Sequence, residues 1–115
     1  MKTIEINGET YVKKSDVIEK PTSNYVVVRT YSAGVHCGYL EHRDGKEVVL
    51  TNTRRIYSWK GAATLSQIAG DGISKPNDCK LPAAIAEITL TEAIEIIPCT
   101  EKAQDILESI DVWKA

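Results

Sequence analysis

Residues 24–59 hold one β-favouring run after another with nothing longer than a short turn between them, so this part of the chain is expected to fold as an antiparallel meander. The run 24–31 carries Tyr25, Val26, Val27, Val28 and Tyr31, and 35–41 follows it after Ala33-Gly34. Arg43-Asp44-Gly45-Lys46 reads as a turn into 47–51, and 53–59 continues as a further strand beyond a break near Asn52. Gly61 ends the pattern. Thr64 with Gln67 three residues later is a capping-box signature for a short helix that stops at Gly70.

The loop 71–82, with Gly72, Pro76, Asn77, Asp78 and Pro82, is the longest connection, and long ordered loops are often functional. Ala86, Ile88, Leu90, Ile94 and Ile96 keep one parity and read as strand, although 90–97 also fits a helical turn. Thr100 caps a C-terminal amphipathic helix through Ala103, Ile106, Leu107 and Ile110, and Trp113 beyond it is a packing anchor. The expected fold class is therefore α+β: a mainly antiparallel β-sheet with two short α-helices. At 115 residues one domain, 1–115, is expected. Within it, Asn7-Gly8 marks a small N-terminal hairpin, and Ser15 caps one helical turn before Pro21.

Charge is unevenly distributed. From Arg29 to Lys60 six basic residues stand against three acidic ones, whereas 85–111 has seven acidic residues against Lys102 alone. A net charge of −2 discourages a general nucleic-acid binder, and the basic middle suits a small anion held locally. Met1-Lys2-Thr3-Ile4-Glu5-Ile6 has charge where a signal peptide has its apolar core, and no stretch nears the roughly twenty apolar residues of a membrane span. A cytosolic protein with no membrane contact is expected. Cys37, Cys79 and Cys99 are odd in number and widely spaced, which argues against a disulfide framework.

Candidate chemistry centres on Arg54-Arg55-Ile56-Tyr57-Ser58-Trp59-Lys60. As a strand, this run places Arg55, Tyr57 and Trp59 on one face, where rings can stack a base and a guanidinium can fork onto a phosphate. The alternative is that both rings are half-buried core. Ala33-Gly34 places small residues in a bend where a ligand can approach the backbone. Catalysis finds little support: His36 and His42 are too far apart on an extended chain to cooperate, and no phosphate loop or dinucleotide fingerprint is present. His36, Cys37 and His42 do not complete a tetrahedral metal set. No enzyme, no cofactor and no metal are expected, and Glu92 and Glu95 read as solvent-exposed.

Three segments taken together are more specific than any one: Val28-Arg29-Thr30-Tyr31-Ser32-Ala33-Gly34-Val35-His36, then Arg54 to Ala62, then Thr91 to Ala103. In this order and spacing they resemble the Thoeris anti-defence family of phage proteins, over about 25–113, with 23–115 as the core of the likeness. The resemblance implies a sponge that binds cyclic nucleotide immune signals and sequesters them without cleavage. The implied ligands are glycocyclic ADP-ribose of Thoeris and cyclic tri- or dinucleotides of CBASS. Also implied are a homo-oligomer, either a dimer or a hexamer built as a trimer of dimers, and action in the cytoplasm of the infected bacterial host. Ligand contact is implied at Arg29, Tyr31, Ala33, Gly34, Val35, Arg55, Tyr57, Trp59 and Lys60. One departure stands out: the family brings a later phenylalanine and C-terminal arginines to its ligand, and this chain has neither, with Lys80, Leu81, Trp113 and Lys114 in those regions. The rival reading is a small RNA or single-stranded DNA binding module using the same basic aromatic face.

Overall fold

A computed structural model describes residues 24–114. Strands β1 (Tyr25–Thr30), β2 (Val35–Asp44) and β3 (Glu47–Ile56) form the meander, followed by helix α1 (Leu65–Asp71) and a 3-10 turn at Pro76–Asp78. Strands β4 (Ile85–Leu90) and β5 (Ala93–Pro98) and helix α2 (Glu101–Ser109) complete the chain. Among the described residues these strands pair antiparallel throughout, in the order β4-β3-β2-β1-β5, so the fold is α+β, a sheet with two helices, as expected. The hairpin and turn expected within 1–22 lie outside the described residues.

Two boundaries differ from expectation for physical reasons. The break near Asn52 is a bulge inside one ten-residue strand: Asn52 takes φ 44°, and the β2–β3 register shifts between Cys37 and Tyr39. Gly38 sits opposite, where a Cβ would lie 2.6 Å from that of Thr53, and the Thr53 hydroxyl donates to the Cys37 carbonyl at 2.8 Å. The single-parity run 86–96 is two strands, with Thr91 and Glu92 between them.

Those two residues shape the sheet. β4 and β5 are its opposite edges, which in a flat five-stranded sheet would lie about 19 Å apart. Leu90 and Ala93 are three residues apart and span at most about 11 Å, so the sheet curls until its edges converge there. The Tyr31 amide donates to the Glu92 carbonyl and the Ala93 amide to that of Lys46, each at 3.0 Å, seating the turn between β1 and the β2–β3 hairpin. Inside the curl Val26, Val28, Val48, Leu50 and Leu90 bury one another in a cluster made of strand and turn residues alone.

The helices cover the other face. Tyr25, Val27, Cys37 and Ile56 meet Ile68 and Ala69 of α1 and Ala103 and Leu107 of α2. Both helices start as expected: the Thr64 hydroxyl accepts from the Gln67 amide and the Thr100 hydroxyl from the Ala103 amide, each at 3.1 Å. The end of α2 has no basic residue of its own. Arg54, buried on β3, serves instead: its guanidinium donates to the carbonyls of Leu107 and Ile110, and also to those of Leu81 and Pro82, at 2.8 to 3.0 Å. One side chain thus ties sheet, loop and helix together. Cys37, Cys79 and Cys99 are free and buried, and burial pushes the Cys37 thiol up to about 11 and the Cys99 thiol up to about 12.

Candidate functional site

Strand register brings three residues into one row on the helix-bearing face: Arg29 pairs with Val35 on one side and Glu95 on the other. The chain leaves β3 at Ile56, crosses toward α1 and returns Trp59 to the same place. An open cleft of about 430 Å³ results, lined by Arg29, Val35, Trp59 and Glu95 with Thr64 and Ser66 at the start of α1. The Trp59 indole is half-buried and donates to the Ala62 carbonyl at 3.3 Å, which fixes the ring while leaving a side of it on the cleft. Arg29 and Glu95 approach only to 3.7 Å with both side chains about half exposed, a loose pair of the kind that contributes little to folding.

The face expected for Arg55, Tyr57 and Trp59 does not form, because β3 ends before the last two residues. Tyr57 is exposed and stacks on Trp113, with ring centroids 5.3 Å apart and planes 6° from parallel, while the Lys80 ammonium lies 5.4 Å from the Trp113 ring. Trp113, expected as a packing anchor, instead stacks on an exposed ring and belongs to neither buried cluster. Lys60 is exposed, and its backbone brackets the Cys79 thiol. Tyr31 is exposed in the β1–β2 turn.

That turn is tied inward and is not an open backbone cradle. Gly34, at φ 86°, lets the chain reverse, and its carbonyl accepts from the Thr30 amide and hydroxyl. The Ala33 amide donates to the Thr30 hydroxyl, while the Ala33 carbonyl accepts from both the Arg55 guanidinium and His36 Nε2 at 2.9 Å. Arg55 therefore sits with His36, its cross-strand partner, on the inside of the curl, across the sheet from Arg29. A second chamber of about 230 Å³ opens there, lined by His36, Thr53, Arg55, Pro82, Ile85 and Ile88 among others.

Residues 23–107 match a family described as a domain of unknown function (DUF6948). The chain belongs to that family. The DUF6948 match takes in the whole curled sheet and α1, and every residue of both cavities, whereas Trp113 lies beyond it. No curated protein and no solved structure matches the chain.

In this DUF6948 domain Glu95 is solvent-exposed and Thr64 caps α1, both as expected, and both also line the cleft, which the sequence does not indicate. His36, considered above as a base and as a metal ligand, is buried inside the curl. Nothing local marks Glu95 or Ser66, which reach the cleft through sheet order and helix docking. That His36 shares the face of Val28 follows from the β1–β2 register, which parity does not give across a turn. Among the described residues there is no group of three His, Cys, Asp or Glu side chains able to hold a metal ion, and no helix long and apolar enough to cross a membrane.

Proposed function

We propose that the protein binds a small cyclic nucleotide signal in the Arg29–Trp59 cleft and sequesters it without cleaving it. The observation that carries this reading is that a guanidinium and an indole, thirty residues apart in sequence, line one cleft of about 430 Å³. That volume falls in the range of small-molecule sites. The guanidinium suits a phosphate or pyrophosphate, the indole suits a base, and the hydroxyls of Thr64 and Ser66 suit phosphate or ribose oxygens. The choice of ligand, with glycocyclic ADP-ribose first and cyclic tri- or dinucleotides second, rests on the likeness to the phage anti-defence family. So do the dimeric or hexameric state and the cytoplasm of the infected host as the place of action. In this reading the cleft, open on one chain, is completed by a second copy.

Calorimetric titration with glycocyclic ADP-ribose, cyclic tri-adenylate and a short single strand tests this, followed by denaturation and recovery of the ligand. A cyclic ligand should bind and return intact. Arg29→Ala should weaken it by about 1.5–3 kcal/mol, the loss of a charge-assisted hydrogen bond, with the fold unchanged. Binding of the strand alone would make the protein a nucleic-acid module, and recovery of a cleaved ligand would make it an enzyme.

A further inference from the structure

The chamber inside the curl has a polar end and an apolar wall. At the polar end His36 and Arg55 face each other across β2 and β3 and share the Ala33 carbonyl, each at 2.9 Å. A carbonyl oxygen only accepts, so the proton of the His36 ring is on Nε2. Burial, with Arg55 close by, holds the imidazole below its ordinary value, against the opposing pull of the Ala33 bond, so the ring is neutral near pH 7. Its Nδ1 is then a lone pair with no partner among the described residues, on a residue only 1 % exposed. The Arg55 guanidinium has five N–H donors and one protein acceptor among the described residues. Pro82, Ala83, Ile85 and Ile88 form the apolar wall, and Ile85 stands half exposed at the mouth.

This arrangement selects by hydrogen-bond sense as well as by charge. A carboxylate or phosphate offers oxygen acceptors only; it satisfies Arg55 but turns a lone pair toward His36 Nδ1. A group with a carbonyl beside an N–H satisfies both, with the carbonyl accepting from Arg55 and the N–H donating to Nδ1. At about 230 Å³ the chamber is smaller than the usual drug-sized site and has room for no more than one planar ring with such an edge, the rest of the ring lying against the isoleucines.

We propose that the His36–Arg55 chamber is a second binding site, separate from the Arg29–Trp59 cleft, for a planar heterocycle bearing an amide edge, of the nicotinamide or guanine-lactam class. The two sites share no lining residue, so the assignment stands apart from the proposed function.

Nicotinamide and nicotinate make the decisive pair of probes because they differ only in amide against carboxylate, and guanosine tells whether the group can arrive on a ribose. Each is titrated into 15N-labelled protein and followed by NMR at His36, Thr53 and Ile85. Nicotinamide should perturb these residues and bind at least about tenfold tighter than nicotinate, since a site built for a donor leaves Nδ1 unpaired against an acid. Ile85→Trp, at the exposed mouth, should plug the chamber and abolish binding without disturbing the buried sheet. His36→Phe should do the same where it folds. Nicotinate binding as tightly as nicotinamide would overturn the proposal, as would perturbations that survive Ile85→Trp or the absence of any perturbation with all three probes.

Discussion

Arg54 and Arg55 are neighbours with unrelated tasks because consecutive side chains leave a strand on opposite faces. Arg54 points to the helices and fills four carbonyls; Arg55 points into the curl and shares one. Replacing Arg54 with methionine keeps the apolar stem and leaves the ends of α2 and the 81–82 segment without a donor. Such a buried polar loss should cost about 3–5 kcal/mol in urea denaturation, and a variant as stable as the parent would mean that water can replace the guanidinium. Arg55→Met, by contrast, gives up one partly exposed hydrogen bond and should cost about 0.5–1.5 kcal/mol. At Glu95 the expectation concerns binding. Its carboxylate competes with an anionic ligand for Arg29, so Glu95→Gln should tighten a phosphate ligand about two- to fivefold, the worth of an exposed pair. Weaker binding to the variant would show instead that Glu95 holds the ligand.

Among the elements, the β2–β3 hairpin departs most from regular geometry, and its bulge at Asn52 is locked by the close approach of Gly38 to Thr53. A methyl at position 38 would meet the Thr53 backbone and side chain at under 3 Å, with no flexible end to move aside. Gly38→Ala should therefore destabilise the fold by about 1–3 kcal/mol, as overpacking does, measured by the same denaturation. Because that bulge bends the strands that curl the sheet, the variant should also lose amide protection along β2 and β3 before it loses it in α2. Uniform protection in the variant would show that the hairpin accommodates the methyl without unbending.

Across the whole molecule, the curled sheet separates two cavities of different chemistry. The cleft faces the helices and pairs an arginine with an indole; the chamber lies inside the curl and pairs an arginine with a neutral imidazole. A cleft ligand held through one arginine neutralises few phosphates, so its affinity should fall only weakly as salt rises, whereas a strand tracked along a groove would show a steep slope. Affinity at two salt concentrations decides between them. Light scattering should find a dimer or hexamer at micromolar concentration. A monomer with full affinity for a cyclic ligand would remove the second copy from the site.

The sequence alone determined the local features, because those depend on nearest neighbours. The meander of β1 to β3 follows from β-favouring runs with short turns, and the helix starts from Thr64 and Thr100. It also named Arg29 and Trp59 together as ligand contacts, through the family resemblance, but not the wall they share. Only the tertiary structure decided that they meet, because β3 ends at Ile56 and the chain doubles back to α1. It likewise decided that two residues, Thr91 and Glu92, join opposite sheet edges and force the curl. The curl, the carbonyl set of Arg54 and the meeting of His36 with Arg55 at the Ala33 carbonyl are products of the folded arrangement. Parity and propensity carry no information about that arrangement.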